Sequence, residues 1–226
     1  MQTTPVRLWD LPTRLFHWAL VVGISFSWFC AETGGNWMVW HERSGIFILS
    51  LVLFRLVWGF IGSDTARFSQ FLTSPAHVVQ HWRDIRGQGT AFHAGHNPLG
   101  AWMVVALLAM VLFQGSTGLF ATDDIATEGP LAGLVSGKTA ELLTSVHHLT
   151  FNLLLLLATV HVAAVMFYRF IKRTNLIKAM VLGKADWPAS QAQPSGLRFK
   201  PAWLGLVVFG CVYALVWFII KVLATF

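Results

Sequence analysis

The chain has 226 residues, of which 55% are hydrophobic, 14% aromatic and only 12% charged. A soluble domain of this length carries charge on about a quarter of its residues, so the composition excludes a water-soluble globule and defines an integral membrane protein. The formal net charge of +6 would otherwise point to nucleic acid, but the basic residues fall in the gaps between apolar stretches, a pattern of membrane topology.

Five stretches are long and apolar enough to span a bilayer: about 15–32, 42–62, 98–120, 143–170 and 202–224. The fold class expected is therefore all-α integral membrane, with five transmembrane helices in one domain over 1–226. The first stretch follows Arg7 and Arg14 but is long for a signal peptide and has no A-x-A-like site after it, so a retained helix is expected. Cys30 and Cys211 both lie in apolar segments and read as packing thiols. No C-x-x-C-H occurs, which argues against covalent c-type haem attachment.

The gaps differ in chemistry. Segment 63–97 holds Arg67, Arg83, Arg86 and the histidines His77, His81, His93 and His96. Within it Val78, Val79, Trp82 and Ile85 share one helical face, the pattern of an interfacial amphipathic helix. His77 and His81 stand i,i+4, a metal-compatible spacing, but no further ligand is evident. Segment 121–142 carries Asp123, Asp124, Glu128 and Glu141 against Lys138, and segment 171–201 is basic. With the N-terminus inside, every Lys and Arg except Arg43, Lys138 and Lys221 is cytoplasmic. The positive-inside rule thus gives a cytoplasmic N-terminus and a periplasmic C-terminus.

His147 and His161 are fourteen residues apart in the fourth stretch. At about 100° and 1.5 Å per residue, they return to within about 40° of one direction and stand roughly 21 Å apart along the axis. His148 misses that face by about 140°. The topology puts His17 at the inner end of the first helix and His41 at the outer start of the second. His17 with His161 and His41 with His147 then form two depth-matched pairs, the arrangement that two bis-imidazole haems require. Filling both axial positions favours electron transfer over oxygen binding. Arg55 lies fourteen residues after His41 on the same face, at the inner level, where a cation can pair with haem propionates or snorkel to the headgroups. Arg14, at the same level, is a second candidate. Gly23 and Gly45 fit either ring clearance or helix packing.

These residues carry a family resemblance. R-L-F-H-W at 14–18, W-H-E-R-S-G at 40–45, R-L-V-W-G at 55–59, G-H-N-P-L-G at 95–100 and H-H-L-T-F-N-L-L-L-L-L-A-T-V-H at 147–161 resemble the bacterial cytochrome b561 and nickel–iron hydrogenase b-type cytochrome family, over about 6–185. The resemblance implies that the first four helices form a haem-binding bundle, with His17, His41, His147 and His161 as iron ligands of two haems b. The chain departs from the family pattern at His148, where a Glu is common, and at Phe151, where an Ala is common. The helix at about 202–224 resembles that of hydrogenase-type relatives and implies an electron-transfer subunit of a larger oxidoreductase system.

The same resemblance implies a function: electron transfer between a membrane quinone pool and a periplasmic redox partner, a c-type cytochrome or another redox protein, in the bacterial inner membrane. A loose match to a quinone-lining segment of the related formate dehydrogenase cytochrome falls on His93, Gly95, His96 and Asn97, while Asn97-Pro98 also reads as a helix cap. Two alternatives stand beside it. A superoxide:quinone oxidoreductase would want a basic outer surface, and the outer residues Glu32, Glu42, Asp123, Asp124, Glu128 and Glu141 are acidic. A proton or metal transporter using a histidine relay would be colourless.

Overall fold

A computed structural model describes residues 3–86, 93–123 and 127–225. Among the described residues, five helices are long and apolar enough to cross a membrane. They are α1 (Leu11–Thr33), α2 (Met38–Ile61), α5 (Pro98–Gly118), α6 (Gly137–Phe170) and α8 (Ala202–Leu223). Short helices α3 (Phe68–Phe71), α4 (Pro75–Arg86) and α7 (Leu176–Leu182) lie in the connections. The all-α membrane architecture expected from the sequence is the one observed. α4 is the expected amphipathic helix; the side chains of His81, Trp82, Ile85 and Arg86, and Asp124, lie outside the described residues.

The N-terminal ends of α1 and α6 lie ahead of the apolar stretches because caps, not hydropathy, set them. α6 starts at Gly137 because the Ser136 hydroxyl accepts from the Thr139 N–H at 3.3 Å. α1 starts at Leu11 because Asp10 Oδ1 accepts from the Thr13 N–H at 2.8 Å. The other carboxylate oxygen of Asp10 accepts from Trp58 Nε1 at 3.0 Å, and both residues are fully buried. A buried carboxylate is tolerated there because both oxygens are hydrogen-bonded and the helix N-terminus favours negative charge.

The chain divides into two compact units. The first comprises Met1–Leu15, Val57–Ala106 and Thr159–Gly205, and the second Phe16–Leu56, Leu107–Ala158 and Leu206–Phe226. In the first unit, an antiparallel ribbon pairs β1 (Thr3–Arg7) with β2 (Lys184–Pro188), Thr3 opposite Pro188 and Arg7 opposite Lys184. The all-helical expectation did not include it. Its register is fixed at Gly183, whose φ of 78° ends α7 in a left-handed turn. The Gly183 carbonyl accepts from the N–H groups of Leu8 and Trp9 at 2.9 and 3.1 Å. A Cβ at Gly183 would lie 2.9 Å from the Trp9 carbonyl oxygen, so no side chain fits. Leu8, Trp9, Ala179, Ala185 and Trp187 form the small core beneath the ribbon.

A second tie in this unit joins 63–64 to 198–200. Asp64 N–H donates to the Arg198 carbonyl at 3.1 Å, Arg198 N–H donates to Asp64 Oδ2 at 2.8 Å, and Lys200 N–H donates to Ser63 Oγ at 3.0 Å. The Arg198 N–H, followed by the charge and hydrogen bond of Arg67, holds the Asp64 carboxyl below its ordinary range. In the second unit, Leu49, Leu131, Val216 and Ile220 form the core, so Leu119, Phe120 and Leu131 pack with side chains of α2 and α8. Gly23 serves packing: a Cβ there would stand 3.1 Å from Ile48 Cγ1.

Candidate functional site

The second unit brings His41 and His147 together. Their ring centroids are 6.2 Å apart with planes at 85°. His41 Nδ1 lies 2.9 Å from the Ser27 carbonyl oxygen and 3.1 Å from Ser27 Oγ, so α1 orients the ring of α2. His147 Nδ1 lies 3.0 Å from the Gln114 carbonyl oxygen and 3.3 Å from Thr117 Oγ1, both on α5. In each ring, donation from Nδ1–H to a carbonyl fixes the tautomer and leaves Nε2 as the basic nitrogen. Such outer hydrogen bonds are the usual support of a metal-bound histidine.

A glycine allows the approach of α5 to His147. A Cβ on Gly118 would lie 2.8 Å from His147 Cε1 and 3.2 Å from its Nδ1. His148, by contrast, is exposed, in line with the helical-phase argument that separated it from His147. Arg55 on α2 is 2% exposed, deep in the protein rather than on a lipid-facing surface. His17 belongs to the second unit and His161 to the first, and both are half-buried.

Arg14, the second expected propionate partner, is engaged elsewhere. Its guanidinium donates to the carbonyls of Met180, at 3.3 Å, and of Val181, capping the C-terminal end of α7.

The first unit holds a cavity of about 490 Å³ whose walls include Phe71, Thr73, His77, His93, His96 and Pro98. The His96 ring lies between Trp9 and Phe71, with centroids 4.7 Å from each. Of the four residues expected to meet a quinone, His93 and His96 line this cavity. The other two shape the backbone beside it. Gly95 takes a φ of 114°, and Asn97 Oδ1 caps α5 by accepting from the Gly100 N–H at 2.7 Å. Asn97 Nδ2 also donates to the Tyr168 hydroxyl at 2.7 Å.

The sequence argument passed over Ser27, Gln114, Thr117, Gly118 and Thr150. The signal available was the polar run Q-G-S-T-G at 114–118, placed in an otherwise apolar span where polar groups need partners.

The donor set fits a bis-imidazole metal. With metal–nitrogen bonds of about 2 Å and each ring centroid roughly 1.1 Å behind its nitrogen, two axial imidazoles on one iron have centroids about 6 Å apart. The observed 6.2 Å between His41 and His147 is that separation. Such a pair on helices long and apolar enough to cross a membrane is what a membrane-embedded haem site requires. The sequence profile described as prokaryotic cytochrome b561 matches residues 8–183, and the chain belongs to that family. It is thus a multi-pass membrane cytochrome that binds b-type haem and transfers electrons. Searches of curated proteins and of solved structures found no match to the chain.

Proposed function

We propose that this cytochrome carries two haems b and passes electrons between a membrane quinone and a periplasmic redox partner. The observation that carries the reading is the His41–His147 pair, at the separation that one iron imposes and with both Nδ1 atoms held by backbone carbonyls. His41 and His147 would ligate one haem, and His17 and His161 the other. Bound haem supplies one-electron redox chemistry. The protein supplies orientation through Ser27, Gln114 and Thr117, burial by the surrounding helices, and charge. Arg55, buried on α2, would face a propionate and favour the reduced, less positive state of the nearer haem.

Quinone exchange belongs to the first-unit cavity. A quinone gains or loses protons with its electrons, and His93 and His96 line this cavity with imidazoles, groups that can donate and accept protons. Trp9 and Phe71 hold the His96 ring, which leaves less rotational freedom to lose on binding. The topology proposed is that of the bacterial inner membrane, with the N-terminus cytoplasmic. It puts this cavity on the cytoplasmic side. Glu32, Glu42, Asp123, Glu128 and Glu141 then face the periplasm, where they complement a basic docking face on a c-type cytochrome or similar partner. The chain would act as the electron-transfer subunit of a larger oxidoreductase system.

The test is haem content of the purified protein and two variants. Two haems per chain are expected in the parent and in His148→Ala, and one in His147→Ala. One haem per chain in the parent, or haem loss on replacing His148 but not His147, refutes the assignment.

A further inference from the structure

His147 is gripped at both ring nitrogens by one residue. Its Nδ1 lies 3.0 Å from the Gln114 carbonyl oxygen, and its Nε2 lies 3.1 Å from the side-chain Nε2 of the same Gln114. A neutral imidazole satisfies both contacts only as the Nδ1–H tautomer, donating to the carbonyl and accepting from the amide N–H. The orientation of the amide follows from the ring: with Nδ1–H donated to the Gln114 carbonyl, Nε2 is an acceptor and the amide nitrogen must face it. The Thr150 hydroxyl, on α6 and 6% exposed, lies against Gln114 Oε1 and also 2.9 Å from the Val146 carbonyl oxygen. A half-buried basic nitrogen in an apolar span is costly without a donor, and Gln114 reduces that cost.

Nε2 is also the nitrogen that an iron would take. We infer that Gln114 is a positioning residue that occupies the ligating nitrogen of His147 whenever iron is not bound to it, with Thr150 holding the amide in place. This rests on the assignment of His147 as a haem ligand made above. On haem binding, Nε2 would exchange the Gln114 amide hydrogen bond for the bond to iron, without redox change and without loss of a ring proton, because Nδ1–H stays donated to the Gln114 carbonyl. On haem release the amide would reclose on Nε2 and oppose rebinding.

The sign of the effect separates this role from ordinary packing. Gln114→Leu keeps the backbone carbonyl and approximate volume but removes the amide. A side chain that merely supports the site would, when removed, speed haem loss. An occupant of the ligating nitrogen would, when removed, slow it.

The experiment is haem transfer from the purified holoprotein in detergent to excess apomyoglobin, followed by the Soret change. The phase belonging to this site is the one missing in His147→Ala. In Gln114→Leu that phase should slow about 2- to 10-fold, the range that one net hydrogen bond supports. Thr150→Val should slow it in the same direction by less, and the double variant should not exceed Gln114→Leu, since both act through one contact. Should Gln114→Leu fail to accumulate, Thr150→Val carries the test with the same expected direction. Unchanged or faster loss overturns the proposal. If His147→Ala retains full haem, the ligand assignment fails; if it loses one haem while Gln114→Leu shows the parental rate, only the role of Gln114 fails.

Discussion

Replacing Gly118 by alanine sets two opposing effects of known size against each other. Gly118 is the last residue of α5, and alanine is favoured over glycine by about 0.8–1.0 kcal/mol in a helix interior, an upper bound at this helix end. Propensity alone therefore predicts at most a small gain in stability. The new Cβ, however, would stand 2.8 Å from His147 Cε1 and 3.2 Å from Nδ1. Ordinary carbon contacts begin near 3.5 Å, so the ring or the helix end must move by about 0.7 Å. Displacement on that scale stretches the 3.0 Å bond from His147 Nδ1 to Gln114 past useful length. Overpacking of this kind costs about 1–3 kcal/mol, which is roughly a 5- to 150-fold weakening if it falls on haem affinity. The clash outweighs the propensity gain, and on the proposed assignment it falls on a haem ligand whose ring direction matters. The assay is haem per chain with a redox titration of whatever haem is retained. Gly118→Ala should lose the haem at His41–His147 or shift its midpoint potential. Gly210→Ala on α8, where a Cβ meets nothing within 4 Å, should change neither and serves as the control. Full haem content with an unshifted potential in Gly118→Ala would refute the reasoning.

Three further outcomes follow from the same structure. Arg55→Leu removes a buried cation; on the proposed propionate pairing one midpoint should fall, on the order of tens of millivolts, and an unchanged or raised value would place the guanidinium away from any haem. His96→Ala, with haem content intact, should slow haem reduction by a quinol analogue by about 10-fold or more, and parental kinetics would move the quinone site elsewhere. Asp64 has a folded pKa below its ordinary value because it accepts from the Arg198 N–H and faces Arg67. Its contribution to the 63–64 to 198–200 tie is therefore full above the ordinary carboxylate range and is lost as pH falls through the depressed value. Exchange of the Arg198 amide should accelerate over that acidic window in the parent and not in Asp64→Asn, and an identical pH dependence in the two would exclude Asp64 as the cause.

Much of the protein is legible in the linear chain because membrane insertion is decided locally. Twenty consecutive apolar residues span a bilayer whatever they pack against, and all five spans lie where hydropathy puts them. The distinction between His147 and His148 is likewise local, since helical phase follows from residue number alone. His148 is exposed and His147 sits against α5, as that phase requires.

What the sequence could not supply depends on which elements meet. The β1–β2 ribbon pairs residues about 180 positions apart, from short segments with no strand-length pattern, and it exists because Leu8, Trp9 and Trp187 share a core. Arg14 looks like a haem-facing cation at its position on α1, yet the docking of α7 beside it offers two carbonyls. Ser27, Gln114, Thr117 and Thr150 read in the chain as isolated polar residues in apolar helices. Only the packing of α1 on α2 and of α5 on α6 turns them into the partners of His41 and His147. Hydropathy and phase are properties of one helix, whereas the donors and acceptors around a histidine come from its neighbours, so the candidate histidines can be picked out in the chain and their hydrogen-bond partners cannot.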